Sequence, residues 1–365
     1  MTNPVITEGK ARIAVATAST VSKKMPVFYN PAMTLNRDIT VLLLTALGRK
    51  SMRMADVLAG SGIRTIRLLK ELPPSMVEEV TVNDGRADFK TVFAKNARLS
   101  KASTRKVVLH NQDANILLHE SGGFDYIDID PFGSPAPFLD AAVRHLARDG
   151  ILALTATDTA ALAGTAPDAC RRKYWALPLR NHLMHEVGMR ILARKAQLVA
   201  AQYDRALVPI YCHATLHYDR IFLRATKSKE QVSGVLDMHR YLVYNEKTDE
   251  FGIRDHNKKA PHEHVAGPLW SGPLWDAGLA TRIAALARPG ETARLAQTIK
   301  DEAAIPVIGF HDIHGLAGKA HINAPSFDAL IKRLNKQGYD AARTHFSPSG
   351  LRTDADAATV KKLLR

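Results

Sequence analysis

Two short stretches of the chain hold residue types that could do chemistry. In "IDIDPFGSP", residues 127–135, an apolar run ends in an acid followed by proline, an aromatic residue and glycine. An amino group conjugated to an aromatic ring is a poor nucleophile, because its lone pair is delocalised into the ring. A catalyst for it must accept hydrogen bonds from the N–H groups, aim the lone pair at the electrophile and hold the ring flat. Asp130 offers one acceptor, the Pro131 carbonyl offers a second in a fixed direction, Phe132 offers a stacking face, and Gly133 leaves room for the ring. The competing reading is a plain turn at the end of a strand, with Pro and Gly as breakers and Asp as a cap.

The second stretch is "DVLAGSGIRT", residues 56–65, where a strand pattern runs through Gly60-Ser61-Gly62 into a helix pattern. Glycines at such a turn let the backbone come close to a nucleotide-like ligand, which makes Asp56, Gly60 and Gly62 candidate cofactor contacts. A full dinucleotide fingerprint calls for a third glycine near position 65, where Thr65 stands, so pyrophosphate binding loses weight. Asp84, 22 residues after Gly62, ends the next strand pattern and is placed to accept hydrogen bonds from ribose hydroxyls. Asp113, at the end of the third strand in "NQDA", can accept from an adenine amino group or cap the helix that follows. On these residues alone, NAD and S-adenosylmethionine both remain open.

The elements that must position these residues follow from hydrophobic pattern. Strands are expected at 52–59, 79–84, 106–113, 124–131 and 150–158, with helices at 63–72, 86–99 and 137–146 between them. Such alternation with short loops predicts an α/β fold, a parallel sheet covered by helices. "ALVPIYCHATLHY" and "RIFLRAT" then meet at Asp219-Arg220 with no room for a helix, so they should pair antiparallel. A parallel, Rossmann-like sheet ending in one antiparallel hairpin is the class I methyltransferase layout, and the "DPFG" segment falls at the carboxyl end of its fourth strand, where open α/β sheets bind ligands.

Beyond residue 230 the texture becomes loop-rich and then helical, with helices expected at 276–287, 292–302, 311–317 and 326–337. The expected division is a catalytic domain over 1–230 and a smaller, mainly helical domain over 231–365. Residues 312–346 have the helix, turn, helix, β-turn rhythm of a winged-helix-like module.

Length and charge narrow the class of partner. The 365 residues are 46% apolar, ample for packed cores, and carry 50 Lys and Arg against 36 Asp and Glu, a net charge of +14. That balance favours a polyanionic partner, nucleic acid above all. The densest basic stretch, 171–205, holds 8 Lys and Arg against 2 acids and reads either as a solvated helix face or as an RNA-phosphate face. Two cysteines, Cys170 and Cys212, are too few for a disulfide framework, and no run reaches the roughly 18 apolar residues of a membrane span. With no secretory signal layout at the N-terminus, the expectation is a cytoplasmic protein with no membrane partner and no obligate protein partner.

Several separate stretches, in one order, carry a resemblance that covers nearly the whole chain: "EGKARIAV" (8–15), "PVFYNPAMTLNRD" (26–38), "DVLAGSGIR", "DIDPFGSPAPFLD" (128–140), "ACRRKYWALPLRNHLMHEVGMRIL" (169–192), "AGPLWSGPLWD" (266–276) and "ARTHFSPSGLRTDA" (342–355). The sequence resembles the tRNA (guanine-26 N2-) dimethyltransferases. That resemblance implies S-adenosylmethionine as donor, tRNA as partner and guanine N2 as the acceptor of one or two methyl groups. It further implies that Arg37, Arg64, Asp84, Asp113 and Ala114 line the cofactor site, that Asp130 is catalytic, and that Phe28 and Phe132 grip a flipped base. Archaeal-type members commonly carry two cysteine pairs before the "GPLW" segment as a structural zinc site, whereas residues 245–264 here hold no cysteine. His256, His262 and His264, with Asp255 or Glu263, match no standard zinc spacing, so no metal is expected and packing of Trp270 and Trp275 is left to hold that region.

Other readings stay in view. A DNA or rRNA amino-methyltransferase would carry proline where Phe132 stands, an NAD-dependent oxidoreductase would want the third glycine, and a non-catalytic RNA-binding relic would not need both the glycine turn and Asp130.

Overall fold

The computed structural model describes residues 4–15 and 29–364, and the chain divides into two compact units. The first comprises residues up to 157 with 199–208 and 222–231; the second comprises 158–198, 209–221 and 232 onward. The units therefore do not follow a single cut at residue 230.

The first unit opens with a small antiparallel hairpin, β1 (Val5–Glu8) and β2 (Ala11–Ala14). Then come α1 (Thr34–Leu47), β3 (Met52–Asp56), α2 (Ile63–Glu71), β4 (Val77–Asn83), α3 (Phe89–Leu99), β5 (Val107–His110), α4 (Ala114–Glu120), β6 (Phe124–Ile129), α5 (Leu139–His145) and β7 (Leu146–Ala156). β3, β4, β5, β6 and β7 pair parallel, as the strand–helix alternation predicts. Strands covered on both faces need side chains that are apolar on both, and β3, β4 and β6 are buried along almost their whole length. Gly48, at φ +64, closes α1 by donating its N–H to the Leu44 and Thr45 carbonyls.

After α6 (Thr159–Leu162), α7 (Pro167–Tyr174) and α8 (Met184–Ala201) the chain forms β8 (Arg205–Thr215) and β9 (Tyr218–Lys227), which complete a seven-stranded sheet of order β5-β4-β3-β6-β7-β9-β8. Only Leu216 and His217 link β8 to β9, a connection short enough for an antiparallel pair alone. The turn thus lies ahead of the expected Asp219-Arg220. Those two residues are buried inside β9, while Leu216 is 66% exposed at φ +53; polarity marked the wrong dipeptide because the charged pair is internal and a leucine is at the tip.

The second unit resumes within α9 (Lys229–Asp237) and continues with β10 (His239–Asn245), β11 (Phe251–Arg254), β12 (Glu263–Trp270), α10 (Ala277–Leu286), α11 (Glu291–Ala303), β13 (His311–Asp312), α12 (Ile313–Lys319), α13 (Phe327–Lys336), β14 (Ala341–Arg343), β15 (Gly350–Thr353) and α14 (Ala357–Leu363). Helices outweigh strands, yet two three-stranded antiparallel sheets, β11-β10-β12 and β13-β15-β14, interrupt them. The first occupies the stretch that reads as loop-rich. The second, with α12 and α13, gives the helix–helix–hairpin order expected over 312–346, packed on Ile313, Leu316, Leu330, Leu334 and Leu351. Asp276, Asp312, Ser326 and Asp356 each cap a helix here with a side-chain oxygen.

A charged hub sits at the centre of this unit. Glu186 accepts from Arg190 Nε at 2.9 Å, from the Gly309 N–H at 2.9 Å and from Arg352 Nη2 at 2.7 Å. Glu302 takes the Thr344 hydroxyl at 2.7 Å, the His345 ring and a 3.3 Å contact from Arg352 Nε. The remaining guanidinium donors go to the Trp270, Gly272 and Val307 carbonyls. Burial opposes the charge of Glu186, but Arg352 and Arg190 outweigh it and hold the carboxyl down at about 2.

Candidate active site

Along β6, residues two apart share a face, which brings Tyr126 and Asp128 into line with Asp130 just beyond the strand. The Tyr126 hydroxyl donates to Asp128. Arg64, in the first turn of α2, donates to Asp130 and lies 3.4 Å from Asp128 Oδ2. Its Nη1 also donates to Asn36 Oδ1 at 2.9 Å and Thr40 Oγ1 at 3.1 Å, both on α1, and the Asn36 amide reaches Thr155 Oγ1 at 3.2 Å. Every group in this network is buried except Asp130, whose side chain keeps 21% of its exposure. Burial alone would weaken the Arg64 cation; the carboxylates of Asp128 and Asp130 reverse that and raise its pKa.

Asp56 adds a further acid to the same surroundings. Its Oδ2 accepts from Thr65 Oγ1 at 2.7 Å. Burial pushes its pKa up to about 7, the Arg64 charge works against the rise, and the Asp128 and Asp130 charges add to it. Asp56 thus serves the interior of the turn, and Thr65, where a dinucleotide fold would want glycine, is fully buried on it.

The segment after Asp130 is pinned open. Gly133 sits at φ +91, a region that penalises any side chain, donates its N–H to Thr157 Oγ1 at 2.6 Å and accepts from the Thr157 N–H at 2.9 Å. A Cβ at Gly133 would meet nothing within 4 Å, so the space beside it is open. Pro131 is buried, and Phe132 stands 41% exposed beside the partly open carboxylate of Asp130.

At the other strand ends, Gly60 (φ +57) and Gly62 (φ +76) make the turn into α2, and a Cβ on Gly62 would collide with the Phe93 ring at 2.4 Å. Asp84 accepts from the Gly60 N–H at 2.9 Å through one oxygen and from the Arg86 N–H at 3.0 Å through the other. Asn111 braces this loop through the Asp84 and Arg86 carbonyls. Asp113 caps α4: its Oδ1 accepts from the N–H groups of Asn115 and Ile116, with Ala114 buried as the first helical residue. The capping reading of Asp113 is realised; it occupies one oxygen.

Arg37 is buried in a different cluster. It donates to Glu8 through Nε at 2.7 Å and Nη2 at 2.5 Å and to the Asn30 carbonyl at 3.1 Å. Glu8 also takes Arg67 at 2.9 Å and the Tyr29 and Thr34 hydroxyls at 3.0 Å. Burial again opposes ionisation, while Arg37 and Arg67 hold the Glu8 carboxyl at about 2. The second expected aromatic of the base clamp, Phe28, lies outside the described residues.

Sequence reasoning missed Glu8, Asn36, Tyr126 and Asp128. Tyr126 and Asp128 were findable, since they precede Asp130 at a spacing of two in a strand. Nothing in the local sequence marks Glu8 or Asn36, whose arginine partners are 28 or more residues away.

In the region of the absent cysteines, His262 and His264 share Glu246, His262 at 3.7 Å, while His256 accepts from the Lys258 N–H. His264 contacts Glu246 at 2.8 Å, Glu263 forms two hydrogen bonds with Arg254, and Asp255 pairs with Arg240. Asp249, at the β10–β11 turn, takes the Tyr244 hydroxyl at 2.8 Å, Lys319 at 2.5 Å and Lys361 at 3.0 Å. Among the described residues no group of three or more His, Cys, Asp or Glu is disposed to hold a metal ion. Ion pairs tie this hairpin, and Trp270, buried at the end of β12 opposite His239 of β10, donates to the Pro273 carbonyl, while Trp275, buried beyond that sheet, donates to the Cys212 carbonyl.

A parallel sheet ending in a short-linked hairpin, a glycine turn after its first strand and an acid at the mouth of its fourth define a class I methyltransferase. A family model described as N2,N2-dimethylguanosine tRNA methyltransferase matches residues 9–365. The chain is 38% identical, over 98% of its length and 95% of the relative's, to the tRNA (guanine(26)-N(2)/guanine(27)-N(2))-dimethyltransferase of Aquifex aeolicus. It is 38% identical to the tRNA (guanine(26)-N(2))-dimethyltransferase of Pyrococcus abyssi, over 96% of this chain and 95% of that one. The solved complex of Trm1 from Pyrococcus horikoshii with S-adenosyl-L-methionine matches with a TM-score of 0.89 at 35% identity, covering 99% of this chain and 100% of that one. The chain belongs to the N2,N2-dimethylguanosine tRNA methyltransferase family.

Proposed function

We propose that this chain transfers one or two methyl groups from S-adenosylmethionine to the exocyclic N2 of guanine 26 in tRNA, with Asp130 as the catalytic residue. The observation that carries the residue assignment is the network around Arg64: three acids, Asp56, Asp128 and Asp130, surround one arginine, and only Asp130 is partly open. S-adenosylmethionine, when bound, supplies an electrophilic methyl on a cationic sulfonium. The residues present suit that ligand: an excess of carboxylate favours a cation, and the chain has no third glycine for a pyrophosphate. Each oxygen of Asp84 carries one N–H and retains a lone pair for a ribose hydroxyl. The 52%-exposed Ile116 side chain, in the first turn of α4 and bonded through its N–H to Asp113, offers an apolar face to adenine.

Asp130 accepts an N–H of the guanine amino group and so turns the nitrogen lone pair away from that bond. Its own position is set by Arg64, which Asn36 and Thr40 hold from α1. Phe132 supplies the stacking face that keeps the base flat, with Phe28 as its counterpart, and this clamp offsets the few kcal/mol needed to extrude a stacked base. Arg37 contributes by fixing Glu8 and the Asn30 backbone ahead of α1. Residues 1–230 supply the chemistry and residues 231–365 contribute to tRNA binding. No helix among the described residues is long and apolar enough to cross a membrane, and the two buried free thiols, Cys170 and Cys212, fit the reducing cytoplasm.

The test is transfer of labelled methyl from S-adenosylmethionine to an unmodified tRNA transcript and to the same transcript with guanine 26 replaced by adenine, followed by nucleoside analysis. N2-methylated guanosine is expected from the first only. Asp130→Ala is expected to lower transfer by a factor on the order of 10² or more while cofactor affinity stays within a few-fold. Equal transfer by the variant overturns the assignment of Asp130, and equal labelling of the two transcripts overturns position 26.

A further inference from the structure

One surface of the second unit combines an exposed aromatic residue, a strained backbone and cations in excess of acids. Trp175 follows α7 in the left-handed region, at φ +56, and donates its N–H to the Arg171 carbonyl at 3.1 Å. Glycine or asparagine ordinarily fills such a helix-ending position, and a bulky side chain there is an outlier. Capping alone does not call for tryptophan. The indole is nevertheless 53% exposed, the most exposed of the three tryptophans, with Trp270 and Trp275 at 4% and 8%. Rigidity is built in around it: two residues on, Leu177 exchanges backbone hydrogen bonds with Gly267 of β12 at 2.8 and 2.7 Å.

What lies against the ring is equally unusual. The Lys195 ammonium, on α8, sits 2.9 Å from the ring centroid although the residue is only 6% exposed. Burial and the neighbouring Arg194 charge lower its pKa to about 8. Arg194 donates to the Trp175 carbonyl at 3.3 Å, and its Nε is buried with no hydrogen-bond partner. On α7, Arg171 and Arg172 are exposed, and the nearest acid to Arg171, Asp168, is 3.9 Å away and itself 79% exposed.

We propose that Trp175, backed by Lys195 and flanked by Arg171, Arg172 and Arg194, is a docking platform for RNA, on which an unpaired base stacks while the arginines take adjacent phosphates. A preset aromatic face with neighbouring cations is the arrangement that binds bases through their π-faces and the strand through its charge. A lysine behind the ring strengthens the platform, since a cation on one face draws π-density toward itself and leaves the other for a base. The same patch offers little to a peptide, having only Leu177 as a further exposed apolar side chain. This proposal rests on the reading of tRNA as substrate and extends RNA binding to residues 158–198.

Titration of tRNA against intrinsic tryptophan fluorescence tests it. Wild type is expected to show quenching by an unmodified tRNA transcript; Trp175→Phe is expected to lose the quenching and keep affinity within about threefold, because phenylalanine still stacks. Trp175→Ala is expected to raise the Kd about tenfold or more, and the Arg171→Glu, Arg172→Glu double variant to weaken binding and lower the salt slope by about two. Circular dichroism and S-adenosylmethionine binding check that each variant is folded. Wild-type Kd and salt slope in both the alanine and the double variant overturn the platform and leave the methylation reading untouched. Quenching without any N2-methylguanosine in the transfer assay supports the platform and overturns the reaction.

Discussion

Two buried charge networks of similar size sit in the two units, and they differ in balance. Around Glu186 and Glu302, two acids face two arginines, Arg190 and Arg352, and the surplus donors end on backbone carbonyls. Around Arg64, one arginine faces Asp56, Asp128 and Asp130. A neutral, fully hydrogen-bonded network has no electrostatic demand left for a ligand and acts as scaffold. A network with unbalanced charge carries a desolvation cost that the fold itself does not offset, and that cost is sustained where a ligand completes it. The Trp175 platform is the opposite case in sign, with cations in excess.

Breaking the balanced hub has the largest expected effect. Glu186→Ala leaves Arg190 and Arg352 buried with one carboxylate between them and is expected to cost about 3–5 kcal/mol in urea unfolding. A loss below about 1 kcal/mol would show that the hub is not structural. Next is Glu8, whose folded pKa lies below its ordinary value. Its contribution is therefore present above about pH 4.5 and lost as pH falls through about 2. Glu8→Gln is expected to be less stable than wild type by on the order of 3 kcal/mol at pH 7, with the two curves meeting near pH 2. Parallel curves across that window would remove Glu8 as the clamp of Arg37 and Arg67.

The smallest effect carries the opposite sign and tests the comparison most directly. Asp56 has a raised folded pKa of about 7, so it costs stability progressively as pH rises from its ordinary value near 4 to about 7, and the cost is constant above that. Asp56→Asn, which mimics the protonated acid, is expected to match wild type within about 0.5 kcal/mol at pH 4. At pH 8 it is expected to be more stable by on the order of 2 kcal/mol, the full linkage value being reduced by relaxation around a buried charge, while transfer activity falls. A destabilised variant at pH 8 would make Asp56 part of the scaffold and end the contrast between the two networks.

The sequence by itself determined the parallel sheet, because strands buried on both faces must be apolar throughout and the crossovers between them must be helical. It also determined the glycine turn, the acid at the second strand's end and the "DPFG" mouth, since these are local patterns at fixed offsets. It misplaced the β8–β9 turn and passed over the sheet of β10, β11 and β12, where burial and pairing between distant segments override local polarity. Only the tertiary structure decided that Arg64 belongs to Asp130 and Arg37 to Glu8, that Asp113 spends an oxygen on capping, and that Trp175 stands over Lys195. The physical reason is the same in each case: a charge's partner is set by which groups burial brings within about 3 Å, and that distance has no counterpart along the chain.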